Sequence, residues 1–120
     1  MRDKDEVWKI GENIAREYLE NKGYKILEQN YRTRYAEIDL VAQKENALIF
    51  IEVRTKTNEL FGSPEETINK KKLEKLWRNA DGYAKIKKWT GQCRIDAVCI
   101  VLNLDSSVKR IKHYQNIINQ

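Results

Sequence analysis

EIDLVAQKENALIFIEVRTK, residues 37–56, consists of two apolar runs joined by the short polar turn KEN, a pattern that predicts an antiparallel hairpin. In the second run both parities are apolar: Ala47, Ile49, Ile51 and Val53 share one face, Leu48 and Phe50 the other. A strand of that kind is expected to be covered on both sides. Glu52 follows on the Phe50 face, and Arg54 and Lys56 share that face by the period of two. On the preceding strand the same period places Ile38, Leu40 and Ala42 on one face and turns Asp39 away from them, so that Asp39 can share a surface with Glu52. Each run therefore carries a carboxylate where an apolar residue would serve a core better.

Working outward, residues 24–32 (YKILEQNYR) predict a strand before this hairpin, so that three consecutive strands form a meander. Ahead of them, Val7, Gly11, Ile14, Ala15, Tyr18 and Leu19 recur at spacings of three and four and predict an amphipathic helix over 5–22, closed by Gly23. Beyond the hairpin, Ser63, Pro64 and Glu66 form a capping-box pattern that predicts the start of a long helix running through TINKKKLEKLWRNADGYAKIKK. The apolar stretch 93–102 then predicts a fourth strand, reached by a right-handed crossover and parallel to the third. The order is αβββαβ, an α/β fold with a mixed sheet flanked by two helices. The tail, VKRIKHYQNIINQ, is left between a short edge strand and a frayed helix.

With 120 residues, 41% of them hydrophobic and 34% charged, the chain is expected to form a single globular domain over 1–120. No apolar run approaches the roughly 20 residues that span a bilayer, and the first residues, MRDKDEVWK, lack the apolar region of a signal peptide. A cytoplasmic protein without a membrane partner is expected. Cys93 and Cys99 lie in one predicted strand, about 20 Å apart at roughly 3.3 Å per residue, and cannot bridge each other. With only His113 beside them and no CxxC or HxxxH spacing, they do not make a zinc site. The net charge of +5 favours a polyanionic partner if the lysines gather on one face, and otherwise describes a solvated basic surface.

A carboxylate removed from water needs a cation, so Asp39 and Glu52 call either for an ion network with Arg54, Lys56 or a helix lysine, or for a metal. The first helix supplies a third acid. Helical spacing places Glu12 beside the apolar stripe near Ala15 and Leu19, while Glu6, Glu17 and Glu20 fall on the wet side. Three carboxylates with nearby cationic side chains are the ingredients of a Mg²⁺ site for phosphodiester hydrolysis. Lys72 falls on the inward stripe of the second helix, between Ile68 and Leu76. It either snorkels along the apolar face or meets an acid or a phosphate. Asp96 on the fourth strand is expected to pair with Arg94 or Lys72.

GENIAREYL (11–19), GYKILEQNYR (23–32), AEIDLVA (36–42), LIFIEVRTK (48–56), FGSPEETI (61–68), Lys72 and RIDAV (94–98) occur in an order and spacing that resemble the YraN family of uncharacterised bacterial proteins. The resemblance covers almost the whole chain. It implies a restriction-endonuclease-like αβββαβ core of the PD-(D/E)xK superfamily, similar to archaeal Holliday junction resolvases. It also implies a nuclease-type site in which Glu12, Asp39 and Glu52 hold Mg²⁺ or Mn²⁺. Arg54 stands at the position of the ExK lysine, with Lys56 on the same face as its substitute, and Ala36 replaces the glycine of the family's GEID.

Two functions follow. One is a metal-dependent endonuclease acting on DNA, branched or distorted duplexes included, with phosphates held by Arg32, Arg34, Lys70, Lys71 and Lys72. The other is a nucleic-acid-binding module without turnover, in which the acids form an ion network around Lys72 and Arg54. A Ser-His-Asp type of hydrolysis is disfavoured because His113 has no partnering motif. Dimerisation is left open.

Overall fold

A computed structural model describes residues 3–119, so Met1, Arg2 and Gln120, at the ends of the charged N-terminal stretch and of the tail, lie outside the described residues. The elements are α1 (Lys4–Asn21), β1 (Lys25–Arg32), β2 (Glu37–Lys44), β3 (Ala47–Lys56), a 3₁₀ turn (Pro64–Thr67), α2 (Lys70–Ile86), β4 (Gln92–Leu102), β5 (Val108–Tyr114) and a closing 3₁₀ turn (Ile117–Asn119). They form one five-stranded sheet in sequence order, parallel between β3 and β4 and antiparallel elsewhere. This is the αβββαβ order with one edge strand added. Among the described residues no helix is long and apolar enough to cross a membrane.

The doubly apolar β3 is buried on both faces. Ala47, Ile49, Ile51 and Val53 join Val7, Ala15 and Leu19 of α1, while Leu48 and Phe50 join Leu76, Ala80 and Tyr83 of α2. The period of two fails in β2. Leu40 and Ala42 lie on the α1 side as expected, but Ile38 is on the α2 side with Val41. The strand rotates about its own axis at Asp39, and its pairing with β3 ends there, at Leu40 opposite Ile51.

The second helix begins later than its capping box suggests. Glu66 does accept a hydrogen bond from the Ser63 N–H (3.1 Å), yet the turn it closes is 3₁₀. Ile68 is then extended, and Asn69 starts α2 afresh by accepting the Lys72 N–H at 2.9 Å. The tail resolves into edge strand β5, held to the 3₁₀ turn by Arg110 and Tyr114, which donate to Glu65 at 2.8 and 2.6 Å. The Arg110 guanidinium, assisted by Tyr114, holds the Glu65 carboxyl down at about 2.

Helix α1 opens on Asp3, which accepts the Glu6 N–H at 2.8 Å, and closes on Gly23 in the left-handed region. Gly11 lies where α1 crosses β3, and a Cβ there would overlap the Thr55 side chain. Gly82, in α2, faces open space. The two positions should respond oppositely to alanine. Gly11→Ala should cost about 1–3 kcal/mol, because overpacking outweighs the gain in helix propensity, whereas Gly82→Ala should add about 0.5–1 kcal/mol. Urea unfolding of the two variants checks this; stabilisation by both would show that α1 can lift off β3 freely.

Candidate active site

The site is built where β2 and β3 part. Beyond Leu40 and Ile51 the Val53 N–H is taken by Asp39 Oδ2 at 2.8 Å, a side chain standing in for the strand ladder. Asp39 is thereby drawn in to 7% exposure, beside Glu52 at 2%. Burial first and the negative charge of Glu52 second hold the Asp39 carboxyl well above the usual carboxylate range, against the pull of the Val53 N–H.

Glu52 has its own cations. Arg54 Nη2 lies 2.7 Å and Lys72 Nζ 2.9 Å from the same oxygen, Oε2. Lys72 is thus the inward lysine that meets an acid. Lys56 lies farther along the face and donates to the Gly62 carbonyl at 3.3 Å.

Glu12 stands behind Asp39, 1% exposed on α1. Its Oε1 accepts from Asn30 Nδ2 at 2.7 Å and from Gln29 Nε2 at 3.5 Å, while its buried Oε2, on the carboxyl that neighbours Asp39, has no hydrogen-bond donor among the described residues. Burial raises its carboxyl above the ordinary value, opposed by the Asn30 and Gln29 amides. Asn30 reaches Glu12 from a left-handed backbone conformation (φ 55°) that asparagine tolerates better than most residues. The turn before β2 is clamped to α2 by buried Asn79, whose Nδ2 donates to the Ala36 carbonyl at 2.6 Å and whose Oδ1 accepts from Thr33 Oγ1 at 2.5 Å.

Asp39, Glu52, Arg54, Lys56, Lys71 and Lys72 line one cavity of about 680 Å³, which Trp8 and Tyr35 also wall. Glu12 is not on its surface, and Arg32, Arg34 and Lys70 are also away from it. Arg32 pairs with Glu37 at 3.0 Å, and Arg34 donates to the Tyr35 hydroxyl at 2.9 Å. Among the described residues no three Asp, Glu, His or Cys side chains are gathered tightly enough to enclose a metal ion as they stand. Asp39 neighbours Glu52 on one side and Glu12 on the other, while Arg54 and Lys72 draw Glu52 toward themselves and Asn30 holds Glu12.

Asp96 pairs with Arg94 at 3.0 Å and not with Lys72, because its parity on β4 places it on the α1 side. There it also meets His113 Nε2 at 2.8 Å and the Asn116 N–H at 2.9 Å, so His113 has a partner that no motif announces. This network pins the C-terminal edge and lies across the sheet from the cavity. Trp8, Tyr35, Lys75, Asn30 and Asn79 are absent from the sequence-based site. Only Asn30 left a trace, as an asparagine inside a strand pattern.

Residues 11–100 match the family described as "Uncharacterised protein family UPF0102". A UPF0102 protein of Bacteroides thetaiotaomicron is 40% identical over 101 residues, 84% of each chain. One of Pelotomaculum thermopropionicum is 38% identical over 109 residues, 90% of this chain and 91% of that one. One of Caldanaerobacter subterraneus subsp. tengcongensis is 36% identical over 118 residues, 95% of each. With three quarters of its residues inside the family match and relatives aligned nearly end to end, the chain belongs to the uncharacterised protein family UPF0102.

Proposed function

We propose that the cavity between β2, β3 and α2 is a phosphodiester-cleaving site that uses Mg²⁺ or Mn²⁺, with DNA as substrate. The observation that carries this reading is the pairing of two nearly buried carboxylates, Asp39 and Glu52, in a cavity that Arg54, Lys56, Lys71, Lys72 and Lys75 also line. Two carboxylates held side by side out of water repel each other, and a cation bound between them would relieve that repulsion.

The residues fit such an ion. Mg²⁺ takes hard oxygen donors and needs only one or two carboxylates, its remaining positions going to water and phosphate. Asp39 and Glu52 are those donors, and Glu12, with one buried oxygen unpartnered, stands behind as a third. When bound, the ion would lower the pKa of a water and stabilise charge developing on the phosphate. The chain's own residues do the rest. Lys71, Lys72 and Lys56 offer point charges to phosphate oxygens, and Arg54, always protonated, offers a bidentate clamp but cannot accept a proton. Asp39 keeps the Val53 N–H, and so keeps β2 aimed into the cavity, whatever Glu52 does.

One observation favours a second reading, a nucleic-acid-binding module without turnover: Glu52 already has two cations within ion-pair distance. The readings part at Asp39, which has no ion-pair partner among the described residues. In the first, metal-free Asp39→Asn should keep its stability within about 1 kcal/mol, since asparagine still accepts the Val53 N–H and removes a charge repelled by Glu52. The variant should bind DNA as well as wild type or better and cut none of it. Linear, flapped and four-way DNA incubated with each protein in Mn²⁺ decides the matter; an inert wild type that Mn²⁺ does not stabilise leaves only the binding module.

The raised pKa of Asp39 fixes a pH dependence. A carboxyl whose folded pKa lies above its unfolded one contributes stability that is full below about pH 4 and is lost as pH rises through the folded value. A divalent cation should offset that loss only where Asp39 is ionised. Mn²⁺ should therefore stabilise the fold more at pH 8 than at pH 5, by up to about 3 kcal/mol at a hundredfold excess over Kd, which thermal melts at the two pH values would read as a larger rise in melting temperature at pH 8. In Asp39→Asn both the loss and the metal increment should shrink. Equal metal shifts at the two pH values would place the ion elsewhere.

A further inference from the structure

Behind the acid cavity lies a second one, of about 480 Å³, within the size range of small-ligand sites. Its lining is mostly apolar. Trp8, Thr55 and Lys56 line both cavities, so the two are separated by a single layer of side chains. Phe61 and Leu104, which line the second cavity, are 92% and 93% exposed, and Trp8 is 39% exposed. Apolar side chains scattered singly over a surface need no explanation, but several gathered around one hollow mark a contact site.

We propose that this second cavity receives an unpaired nucleobase belonging to the strand whose phosphate occupies the acid cavity. The substrate class is then nucleic acid with an unpaired base adjoining the contacted phosphate: a flap, a gap or a single strand. The inference rests on the nucleic-acid reading of the acid cavity and deepens it. Three features carry it. A cavity lined by Arg54, Lys71, Lys72 and Lys75 adjoins one lined by Phe61, with Trp8 and Lys56 in the shared wall, which is the pattern of single-strand recognition: a charged groove for the backbone beside rings for the bases. A base inside a duplex has both faces covered by its neighbours, whereas an unpaired base exposes a face for Trp8 or Phe61 to cover. The rim is also equipped for a base edge. Asn58 spends its Oδ1 on the Leu60 N–H (3.1 Å) and Asn103 its Nδ2 on Ser107 Oγ (2.9 Å), which leaves an amide N–H on the one and a carbonyl on the other.

The test is binding without divalent cation, so that cleavage plays no part. A 20-nucleotide single strand, a blunt duplex and the same duplex with a one-nucleotide gap are titrated against wild type, Phe61→Ala and Phe61→Tyr, with 2-aminopurine at the unpaired position. Wild type should prefer the gapped and single-stranded probes and change the 2-aminopurine emission. Phe61→Ala should weaken binding to those two probes by roughly 5- to 150-fold, the range of one base–aromatic stack, and alter blunt-duplex binding less than twofold. Phe61→Tyr, which keeps a ring, should restore it. Because Phe61 is solvent-exposed, the fold should survive all three states. Equal effects of Phe61→Ala on paired and unpaired probes, or none on either, would overturn the inference and leave the acid-cavity reading standing. A wild-type dimer by light scattering that Phe61→Ala dissolves would give the cavity to a second copy of the chain instead. Failure of every probe to bind at low salt would remove both readings together.

Discussion

One hydrogen bond sets the geometry of the site, from the Val53 N–H to Asp39 Oδ2 at 2.8 Å. Two antiparallel strands that stayed paired would satisfy Val53 through the opposite backbone and would alternate their side chains regularly. Here β2 rotates at Asp39, Ile38 passes to the α2 side, and the ladder stops at Leu40 and Ile51. The gap so opened needs an acceptor, because a buried N–H left unmade costs about 1–3 kcal/mol. The carboxylate supplies it, and in doing so is held out of water next to Glu52. The structural need of the parted strands and the proposed chemical use of Asp39 are thus met by the same carboxylate.

The remaining charges are arranged around that constraint. Glu52 lies on the α2 side, where Lys72 can reach it, and Glu12 lies on the α1 side, where Asn30 can. Asp39, at the rotation point, is the only one of the three that neighbours both. Neutral donors hold Glu12 and cations hold Glu52, so the field across the cluster is graded from α1 to α2. A divalent ion entering from the cavity would meet Glu52 and Asp39 first and would compete with Lys72 for Glu52. Lys72, with about two fifths of its side chain exposed, is the partner best able to swing away.

The order of elements was legible because each rests on a local pattern: two-sided apolarity in β3, a helical stripe and glycine stop in α1, a long apolar run in β4. The acids of the site were legible for the opposite reason, since a carboxylate inside an apolar run contradicts its surroundings. What could not be read depends on departures from periodicity. Ile38 is on the unexpected face because β2 rotates; Gln29 and Asn30 reach Glu12 because β1 is irregular there; Asp96 meets His113 because an edge strand folds back from a tail with weak signals of either kind. The capping box at Ser63 and Glu66 is present in the chain and in the fold, but it closes a 3₁₀ turn, and Asn69 opens the helix. A cap pattern locates a turn of helix without saying how far the helix continues.

Arg54 is the residue on which the chemistry turns. A lysine at position 54 would supply one mobile ammonium that could serve either Glu52 or a water. Arginine's guanidinium meets Glu52 at 2.7 Å, with its buried Nε unpartnered among the described residues. The mobile ammonium is found instead on α2, as Lys72, at almost the same distance from the same oxygen. In the proposed site, the two roles that a single strand lysine would combine, orienting the acid and serving the phosphate or water, would be divided between Arg54 on the sheet and Lys72 on the helix. That division follows from chain geometry: Lys72 lies in the first turn of a helix capped by Asn69, whose hydrogen bond to the Lys72 N–H fixes the backbone from which the ammonium swings.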